Sequence, residues 1–167
     1  MPNGDLKIGY WTAQEQYSPH ELTQFARSAE DVGFETIVSS DHFMPWFSSG
    51  AHGGFTWAWL GATAAYTKKV RFGTGVTAPD RYHPAIIAQA FATLDSMFPE
   101  RFMLGLGAGE AMNSSPLGIV KPSPGQMVVR LRDALKIITS LWSGNYEDFN
   151  GFFYRLRNAK FSSKLCC

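Results

Sequence analysis

Thr36-Ile37-Val38-Ser39-Ser40-Asp41-His42-Phe43-Met44-Pro45-Trp46 decides how this chain is read. A short apolar run breaks into an acid, a histidine and a tryptophan. That is the pattern of a strand running out into a loop, and loops held by a rigid scaffold commonly carry chemistry. Upstream, Leu6-Lys7-Ile8-Gly9-Tyr10-Trp11 alternates as a strand, and Ser18-Pro19-His20-Glu21 forms a capping box with proline at the first helical position. Leu22, Phe25, Ala26 and Ala29 follow at helical spacing, and Gly33 supplies the stop. One strand-helix unit is complete before Thr36.

Downstream the pattern repeats. Residues 36–39 read as strand and 56–67 as helix; 70–77 as strand and 84–97 as helix; 102–107 as strand and 126–142 as helix, with Val128, Leu131, Leu135 and Ile138 on one face. Strands alternating with helices at roughly 30-residue spacing specify a parallel sheet with helical crossovers. Beyond Gly144, two short aromatic runs, 146–149 and 152–156, meet at Asn150-Gly151 and read as a hairpin. The fold class is therefore α/β, a parallel barrel or open sheet, and four units are half of a (β/α)8 barrel, which takes about 250 residues where this chain has 167. Residues 1–156 read as a partial barrel of four units plus the hairpin, and 157–167 as an atypical tail. The chain reads as a fragment or a shortened gene product, with two strand edges and an apolar face that something else covers.

Composition narrows the class further. Hydrophobic residues make up 45% and charged residues 17%, a globular balance. Fifteen Lys and Arg against fourteen Asp and Glu leave a net charge of +1, with no basic face for nucleic acid. The two cysteines, Cys166 and Cys167, are adjacent at the end, so they neither staple a core nor supply a spaced metal site. No charged-then-apolar leader opens the chain and no long uncharged apolar run occurs, which disfavours secretion and membrane insertion. A cytoplasmic location is the expectation.

Several ionisable groups gather at strand exits. His42 beside Asp41 is suited to proton transfer near neutral pH, Glu110 ends the fourth strand, and Glu15 follows the first. The bland alternatives are a loop-capping histidine and an aspartate satisfying loop amides. Gly107-Ala108-Gly109-Glu110 is too short for a dinucleotide fingerprint. Its glycines serve either a tight turn or the close approach of backbone to a flat cofactor. Gly73-Thr74-Gly75-Val76-Thr77-Ala78-Pro79 places small residues at another strand exit. His83 reads as a helix cap before Pro84, Trp57 and Trp59 as packing, and His52 has no assignable role. No metal-ligand spacing and no nucleophile elbow is present. The long connections 43–55 and 111–124 read as lids or pocket walls on the ligand side of the sheet.

Three stretches together, Ser40-Asp41-His42-Phe43-Met44-Pro45-Trp46, Tyr82-His83-Pro84-Ala85-Ile86-Ile87-Ala88-Gln89-Ala90-Phe91-Ala92-Thr93-Leu94 and Leu106-Gly107-Ala108-Gly109-Glu110-Ala111-Met112-Asn113, carry a resemblance. The chain to about Leu156 closely resembles the deazaflavin-dependent glucose-6-phosphate dehydrogenase group of the bacterial luciferase-like superfamily. The resemblance implies a luciferase-like barrel, a homodimer, and coenzyme F420 with its ring at the strand exits. It implies His42 and Glu110 as the acid and base of hydride transfer to the ring's C5 from a carbinol carbon of a small alcohol or sugar. It places Asp41, Gly75, Val76, Thr77, Ala108, Gly109 and Asn113 against the cofactor, with a nonprolyl cis bond between Gly75 and Val76, and Glu15 and Trp46 around the ring.

Two departures stand out. Ala78 occupies the place of a cofactor-binding threonine, with Thr77 one residue earlier, and Ala108 replaces another threonine. The sugar-phosphate ligands of the family fall outside this chain, so glucose 6-phosphate is not the expected substrate. The rival readings are a monooxygenase of the same superfamily using flavin mononucleotide (FMN), and a noncatalytic half barrel that acts as an interaction protein.

Overall fold

The computed structural model describes residues 7–161. In chain order these form β1 (Gly9–Thr12), α1 (Pro19–Asp31), β2 (Thr36–Ser39), α2 (Thr56–Tyr66), β3 (Arg71–Thr74), α3 (Pro84–Met97), β4 (Phe102–Met103), α4 (Ala111–Ser114), α5 (Pro124–Trp142), β5 (Glu147–Asn150) and β6 (Arg155–Ala159). One turn of 3-10 helix, Ser115–Leu117, follows α4. The first four strands make a parallel sheet in the order β1-β2-β3-β4, and β5 and β6 pair antiparallel. Leu6, Cys166 and Cys167 lie outside the described residues.

Local signals explain the main elements. Ser18 accepts from the Glu21 N–H at 3.3 Å while the Glu21 carboxylate accepts from the Ser18 N–H at 2.9 Å, the reciprocal bonding of a capping box. Gly33 ends the unit at φ +96°, a conformation that a side chain disfavours. His83 caps α3 as read from the sequence, its Nδ1 accepting from the Ala85 N–H at 3.2 Å. Burial lowers the His83 pKa, which keeps that nitrogen an acceptor.

The sheet has two unlike faces. Tyr10, Ile37, Phe72 and Phe102 share one register row and point at the helices, where Ile37 and Phe72 are wholly buried among Leu22, Leu60, Ile87, Ile138 and Leu141. Each such side chain contributes about 1.5–3 kcal/mol on burial. The neighbouring row, Trp11, Val38, Gly73 and Met103, lies on the other face, and there Trp11 is 61% exposed. The interior side of the sheet is open among the described residues.

Five expectations need correction. β3 spans Arg71–Thr74 rather than 70–77, and β4 stops at Met103 instead of Gly107. Thr74 explains the early stop: its hydroxyl donates to the Gly105 carbonyl at 2.8 Å and accepts from the Gly105 N–H at 3.0 Å, so a side chain replaces the ladder. Pairing resumes only at Thr77 and Leu106. α5 starts at Pro124 because Ser123 and Gln126 form a second capping box. Its buried face is Arg130, Asp133, Ala134, Ile137, Ile138 and Leu141, whereas Val128 and Leu135 are exposed. The hairpin is present, but its connection runs 151–154 and β6 continues to Ala159.

Candidate functional site

The exits of β2, β3 and β4 converge on a cleft of about 210 Å³ lined by Asp41, His42, Gly75, Val76, Ala78, Arg81, Ala108, Gly109, Glu110 and Asn113. Chain reversal at three parallel strands brings together residues far apart in sequence. Complete ligand pockets run roughly 300–1,000 Å³, so this cleft takes part of a ligand.

Its floor and walls are backbone. The Gly75-Val76 peptide is cis. A Cβ on Gly75 would lie 2.5 Å from Val38 Cγ1 and 2.8 Å from Trp11 Cη2, and a Cβ on Gly107 would overlap Val76 Cγ2. Neither position admits a side chain, because Val38, Trp11 and Val76 already fill the space, so glycine lets the strand exits pack closely there. Flat backbone beside Val76 and Ala108 is a surface for a planar ring, with hydrogen-bonding groups at its edge.

Asp41 is buried at 3% exposure and fully engaged. Its carboxylate accepts from the Thr77 hydroxyl and from the Tyr82 phenol at 3.1 Å. Arg81 Nη1 lies 3.4 Å from Asp41 Oδ1 and donates to the Asp41 carbonyl at 2.8 Å. The Arg81 guanidinium also bonds the Tyr82 hydroxyl and stacks 4.8 Å from that ring. Burial, and then the Asp41 charge, raise the Tyr82 pKa, so the phenol stays a donor. The strand exit is thus pinned by a neutralised ion pair.

Thr77 belongs to this support. It is wholly buried, its hydroxyl is on Asp41, and its N–H and carbonyl pair with Gly105 and Gly107, each at 3.0 Å. Its side chain is therefore directed at Asp41, and Thr77 is absent from the cleft lining.

His42 is held differently. Its Nδ1 sits 2.6 Å from Glu15 Oε1 and 3.0 Å from Trp46 Nε1. Ser40 Oγ donates to the same Glu15 oxygen at 2.8 Å. Glu15 and Trp46 therefore reach the cleft only through His42; Trp46 itself is 63% exposed, its ring edge-on to the imidazole. Nε2 has no hydrogen-bond partner among the described residues, which leaves it available to a ligand. Asn113 is buried with Oδ1 accepting from the Phe43 N–H at 2.7 Å, tying the long loop after β2 to α4. Glu110 is exposed at the start of α4, and its side chain makes no capping bond.

Of the residues expected from sequence, the structure brings Asp41, His42, Gly75, Val76, Ala108, Gly109, Glu110 and Asn113 to one cleft. Sequence reading missed Arg81. Among the described residues no group of three or more His, Cys, Asp or Glu side chains is placed to hold a metal ion. No described helix is long and apolar enough to cross a membrane.

A parallel run of βα units with a backbone-walled cleft at the strand exits defines a barrel-type ligand site. The luciferase-like monooxygenase family profile matches residues 6–164, and the chain belongs to that family. The F420-dependent glucose-6-phosphate dehydrogenase of Nakamurella multipartita is 43% identical over 155 residues, 92% of this chain and 46% of that protein. Among solved structures, an F420-dependent secondary alcohol dehydrogenase in complex with an F420-acetone adduct superposes with a TM-score of 0.93 at 40% identity, covering 95% of this chain and 49% of that one. The coenzyme F420-dependent tetrahydromethanopterin reductase of Methanopyrus kandleri shares the fold, with a TM-score of 0.82 at 21% identity over 98% of this chain and 48% of its own. The chain spans about half the length of the relatives it matches.

Proposed function

We propose that this chain carries the ring-binding half of a coenzyme F420-dependent oxidoreductase acting on a CH–OH group. The observation that carries the reading is the cleft itself, in which glycine backbone at Gly75-Val76 and Ala108-Gly109 meets His42, Glu110 and Asn113. The chemistry of the lining fits a deazaflavin, a flat tricycle with a polar pyrimidine edge. The relatives' named cofactor supports the same choice. Gly75, Val76, Ala108, Gly109 and Asn113 would hold the ring, with Asp41 and Thr77 fixing the wall behind it.

When bound, F420 supplies the carbon that accepts hydride from the carbinol. His42 takes the hydroxyl proton at Nε2, because Glu15 at Nδ1 stabilises the imidazolium that results. Glu110, exposed at the mouth, would relay a proton between solvent and the ring edge through its carboxylate. The strand exits fix these groups at constant spacing, which converts an encounter into a pre-oriented reaction. The substrate class is a secondary alcohol or sugar. The same reading includes a homodimer, which gel filtration tests, and residence in the cytoplasm.

Amide chemical-shift mapping tests the site. Oxidised F420 is expected to move the Val76, Gly109 and Asn113 resonances, while equal FMN leaves them in place. FMN-selective shifts would transfer the assignment to a flavin monooxygenase, and the absence of shifts with either would leave a noncatalytic half barrel.

A further inference from the structure

Arg130 joins two loops that wall the cleft. It projects from α5 at 6% exposure. Its Nη2 donates to the Ala108 carbonyl at 3.0 Å and lies 3.8 Å from Asp80 Oδ2. Ala108 belongs to the turn after β4, which delivers Gly109 and Glu110. Asp80 belongs to the loop after β3, which delivers Gly75, Val76 and Ala78. The junction has no slack, since Gly109 sits at φ +92° and a Cβ there would overlap the Asp80 carboxylate. The hairpin closes the far side: the Phe153 ring lies 5.9 Å from the Arg130 guanidinium, and the Tyr154 hydroxyl bonds the Pro79 carbonyl.

As a purely structural device this pair is a poor one. Arg130 Nε and Asp80 Oδ1 are buried without a hydrogen-bond partner, and burial raises the Asp80 pKa against the pull of Arg130. A well-packed apolar pair serves stability at least as well as a buried ion pair of this kind. What an apolar pair cannot do is grip a carbonyl on one loop and a carboxylate on the other. We infer that Arg130 is a positioning residue, which sets the separation between the Gly75–Ala78 and Ala108–Glu110 walls for the ring. The inference rests on the reading that a planar cofactor occupies the cleft.

The test uses amide hydrogen exchange and F420 binding on the full chain. The Thr77 N–H bond to Gly105 and the Gly107 N–H bond to Thr77 link the same two loops, so their exchange reports the brace. Arg130→Gln is expected to speed exchange at both amides at least tenfold, to leave Ile37 and Phe72 unchanged, and to weaken F420 binding about tenfold. Asp80→Asn combined with Arg130→Gln replaces the ion pair by a neutral hydrogen-bonding pair and is expected to recover most of both losses. A merely structural role predicts instead that exchange at Ile37 and Phe72 speeds and recovers in step with these two amides. Arg130→Lys keeps the charge but lacks the planar fork; it is expected to loosen the same amides and substitutes if the Gln variant does not fold. Unchanged exchange and unchanged affinity in these variants would overturn the inference while leaving the functional reading intact. Absence of F420 binding by the wild-type chain would overturn that reading and, with it, the ring-positioning role, even where the exchange rates change as expected.

Discussion

Glu15 Oε1 lies 2.6 Å from His42 Nδ1, on the same nitrogen that Trp46 Nε1 approaches at 3.0 Å. One nitrogen cannot donate to a carboxylate and accept from an indole N–H at once. A protonated Nδ1 bonds Glu15, and a bare Nδ1 bonds Trp46. Glu15→Gln removes the carboxylate that favours the protonated Nδ1, so the neutral ring is expected to shift toward the tautomer that accepts from Trp46. Nitrogen-15 NMR of the imidazole reads that shift, and an unchanged tautomer ratio would refute the pairing.

The tight turn after β4 predicts opposite outcomes for two glycines. A Cβ on Gly105 would fall on the Thr74 carbonyl oxygen, which is backbone and cannot step aside, while a Cβ on Gly125 meets nothing within 4 Å. Gly105→Ala is expected to cost several kcal/mol, about 3 or more by analogy with strained core substitutions. Gly125→Ala, in the first turn of α5, is expected to be neutral or to stabilise by up to about 1 kcal/mol. Urea denaturation separates the two.

Asp41 and Arg81 form a buried pair with side-chain exposures of 1% and 6%. Removing one partner strands the other charge. Asp41→Ala is expected to lose about 3–5 kcal/mol, whereas Thr77→Val removes one bond to the same carboxylate and is expected to lose about 1–2 kcal/mol. Equal losses in the two variants would contradict the expected cost of stranding the Arg81 charge.

Glu30 supplies a pH test at the opposite end of the sheet. Its carboxylate accepts from the Lys68, Lys69 and Val70 N–H groups at 2.6–3.0 Å. Burial pushes its pKa up, but the three N–H bonds prevail and the net shift is downward. A depressed folded pKa gives stability that is present above the unfolded value, near 4.5, and is lost as pH falls through the folded one. Glu30→Gln is therefore expected to destabilise the protein at pH 7 by about 1–3 kcal/mol. The gap to wild type should narrow in thermal scans as pH falls below 4.5 and close once it passes the folded pKa.

The units were legible because their signals are local. Ser18 with Glu21 starts α1, Gly33 stops it, and the β-branched run at Thr36 makes a strand, each readable within a few residues. The second capping box, Ser123 with Gln126, was equally readable, but Pro124-Gly125 masked it as loop. The inner face of α5 was not legible. Apolar periodicity selects Val128 and Leu135, yet the helix turns Arg130 and Asp133 inward, and only the three-dimensional position of Ala108 and Asp80 explains why Arg130 is buried. Arg81 escaped notice for the same reason, since its partner Asp41 is distant in sequence. The end of β4 depends on the Thr74 side chain, which no pairing pattern reveals. The resemblance named residues that the structure gathers at one cleft; it could not show that the Thr77 hydroxyl bonds Asp41.

The most direct measurement is an equilibrium titration of the full chain with oxidised F420, followed by ring fluorescence, with FMN as the control and Ala108→Phe as the blocked cleft. Selective, saturable binding that the phenylalanine variant abolishes is the result expected, because Ala108 lines the cleft and a bulky side chain there takes up its space. No binding by the folded wild-type chain, equal binding of F420 and FMN, or undiminished binding by the phenylalanine variant would contradict the assignment of this cleft to a deazaflavin.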